Sequence, residues 1–331
     1  MYFYGMNNLN SFDPLWAPIL THYQLTDNLR LDKTLIKKHM KWLEPSVKQF
    51  LVCGTTGDGW VLSDKLIEDW LEILTEKNFL SDQNKILFGA FGNTTKDVLH
   101  RAKLIEDYLI NHTCEANFFG LTLCAPVNEE ITQKEIIKHF EKVIENTLLP
   151  ISIYQLPQVV KCEIKPETLK YLKNKFKKRI VLFKDTSGED NVIDSKINFG
   201  DLKFLRGAEK NYFSHIKPRG KYDGFLLSTA NCFGKVLREI LNEVEKNNFE
   251  KAENLSKKLS DIIRISFDKG QKLNFGNPFS NVNKAFLHVI FNKDKFNDLN
   301  CKTCFENNIP GDLLTYANGL LVENKLINSL K

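Results

Sequence analysis

The sequence predicts an α/β fold, a (β/α)8 TIM barrel with a C-terminal helical extension, and three observations carry that expectation. Short apolar runs recur eight times, each followed by a turn and a longer stretch of helical periodicity. This alternation fills the first 247 residues with nothing left over, so residues 12–247 are expected to form the barrel. Beyond them strand signals fade while helical ones continue, which leaves residues 248–331 of the 331-residue chain as the extension. A doubly wound open sheet is the competing arrangement, and the count of eight favours closure.

In order, the apolar runs that read as strands are Ala17–His22, Phe50–Cys53, Ile86–Ala90, Gly120–Cys124, Ile151–Tyr154, Ile180–Lys184, Phe204–Arg206 and Gly224–Ser228. The intervening periodic segments read as helices at Asp32–Glu44, Ser63–Lys77, Thr95–Asn111, Thr132–Asn146, Lys165–Phe176, Glu189–Asn198, Glu209–His215 and Gly234–Lys246. Three more follow at Asn248–Lys269, Asn281–Phe291 and Leu313–Ser329. No linker, repeat or low-complexity tract separates barrel from extension.

Hydrophobic residues at 42% and charged ones at 26% exclude a disordered chain, a collagen or a small disulfide scaffold. No run reaches the roughly 18 apolar residues of a membrane helix, and Met1–Asn10 lacks a basic-then-apolar leader, so a cytoplasmic protein is expected. Net charge is only +5, and seven of the 46 basic residues are arginine, which argues against nucleic-acid reading. The basic run Lys173–Arg179 reads as a solvated helix end. Cys53, Cys114, Cys124, Cys162 and Cys232 are scattered, mostly in apolar segments, and fit reduced thiols. Cys301 and Cys304 have redox or zinc spacing, but no second pair or histidine cluster accompanies them, so no metal is expected.

In a barrel of this class the chemistry lies at the C-terminal ends of the strands, and the unusual residues fall there. After the second strand, Gly54-Thr55-Thr56-Gly57-Asp58-Gly59 combines chain-reversing glycines with hydroxyls and suits a small anion, or is simply a tight strand-to-helix turn. Tyr154 ends the fifth strand before Leu156-Pro157 and reads as a proton shuttle or an amphipathic plug. Lys184 ends four apolar residues of the sixth. Burial there lowers an amine's pKa and readies it to attack a carbonyl; the alternative is a lysine that snorkels to solvent. Ser187 with Asp190 reads as a capping box for the next helix. Ser228-Thr229-Ala230-Asn231 puts small polar groups at the eighth strand end.

The motifs GTTGDG, YQLP, FKDTSG and LLSTAN, in this order and at these separations, resemble the dihydrodipicolinate synthase and N-acetylneuraminate lyase family of pyruvate-dependent class I aldolases. The resemblance runs from about Trp16 to about Leu287 and includes Asn277-Pro278 and Asn283-Lys284-Ala285. It implies that Lys184 forms a Schiff base with pyruvate, that Tyr154 moves protons and that Thr55 links to it in a relay. It further implies that Thr56 holds the pyruvate carboxylate and Gly188 leaves room beside the substrate. No metal or organic cofactor is implied beyond the covalent Schiff base on Lys184. A homo-oligomer, dimer or tetramer, is.

Two departures bear on the reaction. The synthases carry an arginine where this chain has Val159, with Lys161 nearby, and a tyrosine where it has Asn128. Loss of a bidentate carboxylate anchor argues against the synthase. The expectation is therefore a lyase that cleaves a 2-keto-3-deoxy acid to pyruvate and an aldehyde, or runs the reverse condensation. In the sialate lyases the segment matching Gly207-Ala208-Glu209-Lys210 and the serine matching Ser228 bind the polyol; here Glu209 is expected to accept substrate hydroxyls or to serve as a first-turn helix acid. The synthase (aspartate semialdehyde as partner), a Schiff-base dehydratase and a non-catalytic ligand-binding barrel are the alternatives.

Overall fold

A computed structural model describes residues 12–25, 29–112, 117–305 and 307–326. Eight strands close into a parallel barrel in sequence order: β1 (Leu15–Pro18), β2 (Gln49–Val52), β3 (Lys85–Gly89), β4 (Asn117–Cys124), β5 (Ile151–Gln155), β6 (Ile180–Asp185), β7 (Lys203–Arg206) and β8 (Gly224–Leu226), with β8 pairing back to β1. The open sheet is thereby excluded. Parallel neighbours need a crossover, and the helical segments supply it: α1 (Lys33–Leu43), α2 (Asp64–Leu74), α3 (Thr95–Asn111), α4 (Gln133–Glu145), the single turn α5 (Pro157–Val160), α6 (Pro166–Phe176), the short turns α7 (Asn191–Asp194) and α8 (Tyr212–His215), and α9 (Ala230–Glu245). The extension contains α10 (Phe249–Gly270), α11 (Pro278–Asn292) and α12 (Gly311–Glu323).

Alternation along each strand creates two apolar layers. Trp16, Leu51, Leu87, Phe119, Leu182, Leu205 and Leu226 fill the barrel interior. The outward faces pack against the helices in a larger core that continues into α10, α11 and α12. Helix starts follow the cap chemistry. Asp32, Ser63, Thr94 and Thr132 each accept from a backbone N–H in the first turn, and Thr94/Asp97 and Thr132/Glu135 close full capping boxes. Asp32, Ser63 and Thr132, expected as first helical residues, are in fact the caps.

Several expected elements differ, each for a local reason. The first strand ends at Pro18, although Ile19–His22 stay buried. Ile19 N–H still donates to Leu51 O on β2, but the Asn231 side chain then accepts from Leu20 N–H and donates to Pro18 O, replacing the ladder bonds there. Only Asn191–Asp194 of the expected Glu189–Asn198 helix forms. Asp190 is left-handed (φ 57°) and its carboxylate is taken by Arg206 and Tyr222, while Ser187 Oγ donates to Asp185 Oδ1 at 2.6 Å. The capping box expected from Ser187 and Asp190 is therefore absent. The expected Glu209–His215 helix cannot begin before Tyr212 because Lys210 and Asn211 are both left-handed, at φ 78° and 51°.

The basic run is only partly solvated. Lys173 is buried, donating to Lys177 O and Ile180 O and pairing with Asp201 at 2.7 Å; Arg179 donates to Leu149 O. Cys53, Cys124 and Cys232 are buried, and Cys162, Cys301 and Cys304 are half-buried; all six are free thiols. Met1–Asn10, Cys114 and the expected helix end at Ser329 lie outside the described residues.

Candidate active site

Register places the chemistry. Cys124 on β4, Tyr154 on β5 and Lys184 on β6 are direct neighbours across the sheet, so all three side chains face the barrel mouth. Below them lies the row Thr122, Ser152 and Leu182. Lys184 and Tyr154 are each 3% exposed, so the lysine does not reach bulk solvent. Its Nζ sits 4.0 Å from the centre of the Tyr154 ring.

Burial among apolar neighbours disfavours the ammonium and lowers the Lys184 pKa to about 7; the Cys124 thiol and the Glu209 carboxylate oppose that shift more weakly. Burial pushes the Tyr154 phenol up, opposed by hydrogen bonds with the Thr55 and Thr186 side chains. Thr186 Oγ1 donates in turn to Gln155 O at 2.7 Å. Thr55 is thus joined to Tyr154, and it also accepts from Trp60 Nε1 at 3.2 Å.

The Gly54–Gly59 segment is a closed turn. Gly57 N–H and Gly59 N–H donate to Gly54 O, and Asp58 N–H donates to Thr55 O. A Cβ at Gly59 would lie 1.8 Å from Cys53 O, so only glycine allows the turn to close there. Thr56, 6% exposed, lines the cavity with Thr55. Arg101 on α3 braces the turn from one side, donating to Gly59 O and Leu62 O. The extension braces it from the other. Ser280 Oγ donates to Thr56 O at 2.5 Å, Asn277 Nδ2 to Thr55 O at 3.3 Å, and Lys284 pairs with Asp58.

Gly188, at φ +80°, has no atom within 4 Å of where a Cβ would stand, so open space adjoins it. Glu209 and Ser228 both line the cavity, but the Glu209 carboxylate is already filled. Oε1 accepts from Ser228 Oγ (2.7 Å) and Thr229 N–H (3.1 Å), and Oε2 from Thr229 Oγ1 (2.8 Å) and Tyr212 OH (3.1 Å). Neither expected role for Glu209 matches this geometry. It is not in the first turn of a helix, and its lone pairs are not free for substrate.

Val159 lines the cavity. Lys161 is left-handed (φ 63°) with its Nζ on Gln158 O, and Asn128 is exposed, its N–H on Val160 O; neither lines the cavity. Residues without an assigned role in the sequence complete the site. Thr186 shares the phenol with Thr55, Trp60 orients Thr55, and Gly207 gives the lysine its path. A Cβ on Gly207 would stand 2.8 Å from Lys184 Cε and 2.3 Å from Thr186 Cγ2. Among the described residues no group of three or more His, Cys, Asp or Glu could hold a metal ion.

A model of the dihydrodipicolinate synthetase family matches residues 12–276. The 4-hydroxy-tetrahydrodipicolinate synthase of Erythrobacter litoralis is 26% identical over 239 residues, covering 71% of this chain and 78% of its own length. An uncharacterised DapA-like lyase of Pyrococcus abyssi is 24% identical over 295 residues, covering 86% and 94%. Among solved structures, YagE of E. coli K12, a prophage protein of the dihydrodipicolinic acid synthase family in complex with pyruvate, has a TM-score of 0.76 at 17% identity, covering 94% of this chain and 98% of its own. KD(P)GA of T. tenax has a TM-score of 0.72 at 18% identity, covering 95% and 99%. At these identities the structural likeness speaks for the fold.

Proposed function

The chain belongs to the dihydrodipicolinate synthetase family, and on that premise we propose that it is a pyruvate-dependent carbon–carbon lyase working through a Schiff base on Lys184. It cleaves a 2-keto-3-deoxy acid to pyruvate and an aldehyde, or runs the reverse condensation. One observation carries the reading: a buried amine with its pKa lowered to about 7, lying 4.0 Å from the ring of a tyrosine whose hydroxyl is bonded to Thr55 and Thr186.

In this reading the neutral Lys184 amine attacks the keto carbon, and the resulting carbinolamine loses water with a proton delivered by Tyr154. The iminium then accepts the electron pair of the breaking C3–C4 bond while the C4 hydroxyl gives its proton to the Tyr154–Thr55 relay. The aldehyde leaves, the enamine is protonated at C3, and water hydrolyses the imine to release pyruvate and restore the amine. Gly57, Asp58 and Gly59 use their N–H groups within the turn. In this reading the N–H groups of Thr55 and Thr56 and the Thr56 hydroxyl hold the substrate carboxylate. Gly188 gives space beside it. Glu209 positions Ser228 and Thr229 and sets a carboxylate near the amine.

The reading needs no metal and no cofactor beyond the Lys184 adduct. It divides the chain into a catalytic barrel, 12–247, and a helical extension, 248–331, whose α11 helix braces the anion turn. It also carries a homo-oligomer, dimer or tetramer, and a cytoplasmic location; no helix among the described residues is long and apolar enough to cross a membrane. Synthase chemistry is the second reading, favoured by relatives bearing that name. Val159 in the cavity wall offers no anchor for a second carboxylate, so the lyase is preferred.

The test is proton exchange. Folded wild-type protein should exchange the methyl protons of pyruvate in deuterated water, followed by NMR, and Lys184→Ala should not. Wild-type protein that binds pyruvate without exchange would be a ligand-binding barrel.

A further inference from the structure

We propose that the carbonyl partner of this lyase is an apolar, aromatic aldehyde rather than a polyhydroxy one, an inference that rests on the Schiff-base reading above. The cavity over Lys184 encloses about 630 Å³, well beyond what a three-carbon keto acid fills, so the second reactant occupies its outer part. That part is walled by Trp60, Val61, Val159, Phe267, Phe279 and Phe305. Val61, Phe279 and Phe305 are 54%, 40% and 49% exposed and come from three separate segments, yet they meet at one mouth. A single exposed apolar side chain needs no explanation, but convergence on a cavity rim marks a place for an apolar ligand.

Buried Phe91 backs the aromatic wall from behind and fixes Trp60 and Tyr154, which do face the cavity. Trp60 stacks on Phe91 (centroids 5.1 Å, 19°), and Phe91 lies 6.0 Å from Tyr154. On the facing side Phe267 and Phe279 meet edge to face at 4.6 Å. A ring entering the cavity therefore finds edges and faces in the arrangement that aromatic pairs favour.

The polar groups of the wall point the same way. Ser187 Oγ donates to Asp185, Thr186 Oγ1 to Gln155 O, Ser228 Oγ to Glu209 and Trp60 Nε1 to Thr55. Glu209 takes four protein donors. The hydroxyl protons of the inner wall are therefore already committed within the protein, and a polyhydroxy chain moving in from water finds few donors there to replace those it leaves. The charged groups that remain, Lys210, Arg264 and Asp268, are exposed at the rim and solvated.

In condensation the enamine C3 attacks the aldehyde carbon; the carbonyl electron pair moves to oxygen, which takes the proton returned by Tyr154, and hydrolysis of the imine releases a 4-aryl-4-hydroxy-2-keto acid. Wild-type enzyme should be given pyruvate with benzaldehyde, with glyceraldehyde and with aspartate semialdehyde, and kcat/KM compared by product formation. The expected result is at least about tenfold preference for benzaldehyde, and loss of about tenfold of that preference in Phe279→Ser and in Phe305→Ser. Equal rates, the opposite ranking, or condensation with none of the three overturns the inference. Pyruvate methyl exchange on the same preparation separates the failures. Exchange with the wrong aldehyde ranking sinks only the substrate class, whereas no exchange sinks the Schiff-base reading and the inference with it.

Discussion

Lys284 of the extension and Asp58 of the Gly54–Gly59 turn form an ion pair sealed from solvent, with Nζ 3.3 Å from Oδ2 and side chains 1% and 3% exposed. The same carboxylate oxygen accepts from Tyr23 OH at 3.0 Å, and the ammonium lies 4.7 Å from the Tyr23 ring centre. A charge at such depth costs several kcal/mol when its partner is removed, more than the intact pair contributes over an apolar substitute. Lys284→Met should therefore destabilise by about 3–5 kcal/mol in denaturant unfolding followed by tryptophan fluorescence. The double variant Asp58→Asn/Lys284→Met should recover most of that loss, and a double-mutant cycle reads the coupling. A single-variant cost under about 1 kcal/mol would mean the pair is not sealed.

Gly207→Ala tests the path of the lysine. The added methyl would stand 2.8 Å from Lys184 Cε and 2.3 Å from Thr186 Cγ2, so both side chains must move. Misplacing a nucleophile by about an ångström costs on the order of 100-fold in rate. The expected outcome is a drop of about that size in pyruvate exchange, with far-ultraviolet circular dichroism unchanged. Activity within a factor of two or so of wild type would show that the lysine has room to spare.

Tyr154→Phe keeps the ring against Lys184 and removes only the hydroxyl shared by Thr55 and Thr186. Lyase turnover should fall about 10²–10⁴-fold, the usual worth of a positioned proton shuttle. Pyruvate should still bind, as judged by calorimetry. Thr55→Val should fall less, because Thr186 still bonds the phenol. A Thr55→Val defect equal to that of Tyr154→Phe would instead place the whole relay on Thr55.

The pH dependence follows from the amine. Imine formation needs neutral Lys184, whose pKa is lowered to about 7 by burial. The rate of pyruvate exchange should rise about tenfold per pH unit below 7 and level off above it. Burial pushes the Tyr154 phenol up, so no falling limb is expected from it below its ordinary value of about 10. A rising limb still climbing at pH 9 would show an amine that ionises as if in water.

Much of this was legible in the chain because barrels put chemistry where apolar runs stop. Tyr154 and Lys184 each close such a run, and the pairing of β5 with β6 sets them side by side. The short turns after β6 and β7 were not legible. Asp190, Lys210 and Asn211 take left-handed conformations fixed by neighbours distant in sequence, chiefly Arg206 and Tyr222 around Asp190. Glu209 looked like a free acceptor because three of its four donors come from Ser228 and Thr229, in the turn after β8, which no local pattern connects to it. Thr186 stood in a recognised motif, but its link to Tyr154 emerges only from the register. Ser280 and Lys284 reach the Gly54–Gly59 turn across more than two hundred residues of chain, a contact that periodicity does not encode.

The most direct measurement is borohydride trapping of the protein with pyruvate, read by intact mass and peptide mapping. One reduced pyruvyl adduct should form, on the peptide containing Lys184, and vanish in Lys184→Arg. An adduct on another lysine, or none on folded protein, would contradict the Schiff-base account.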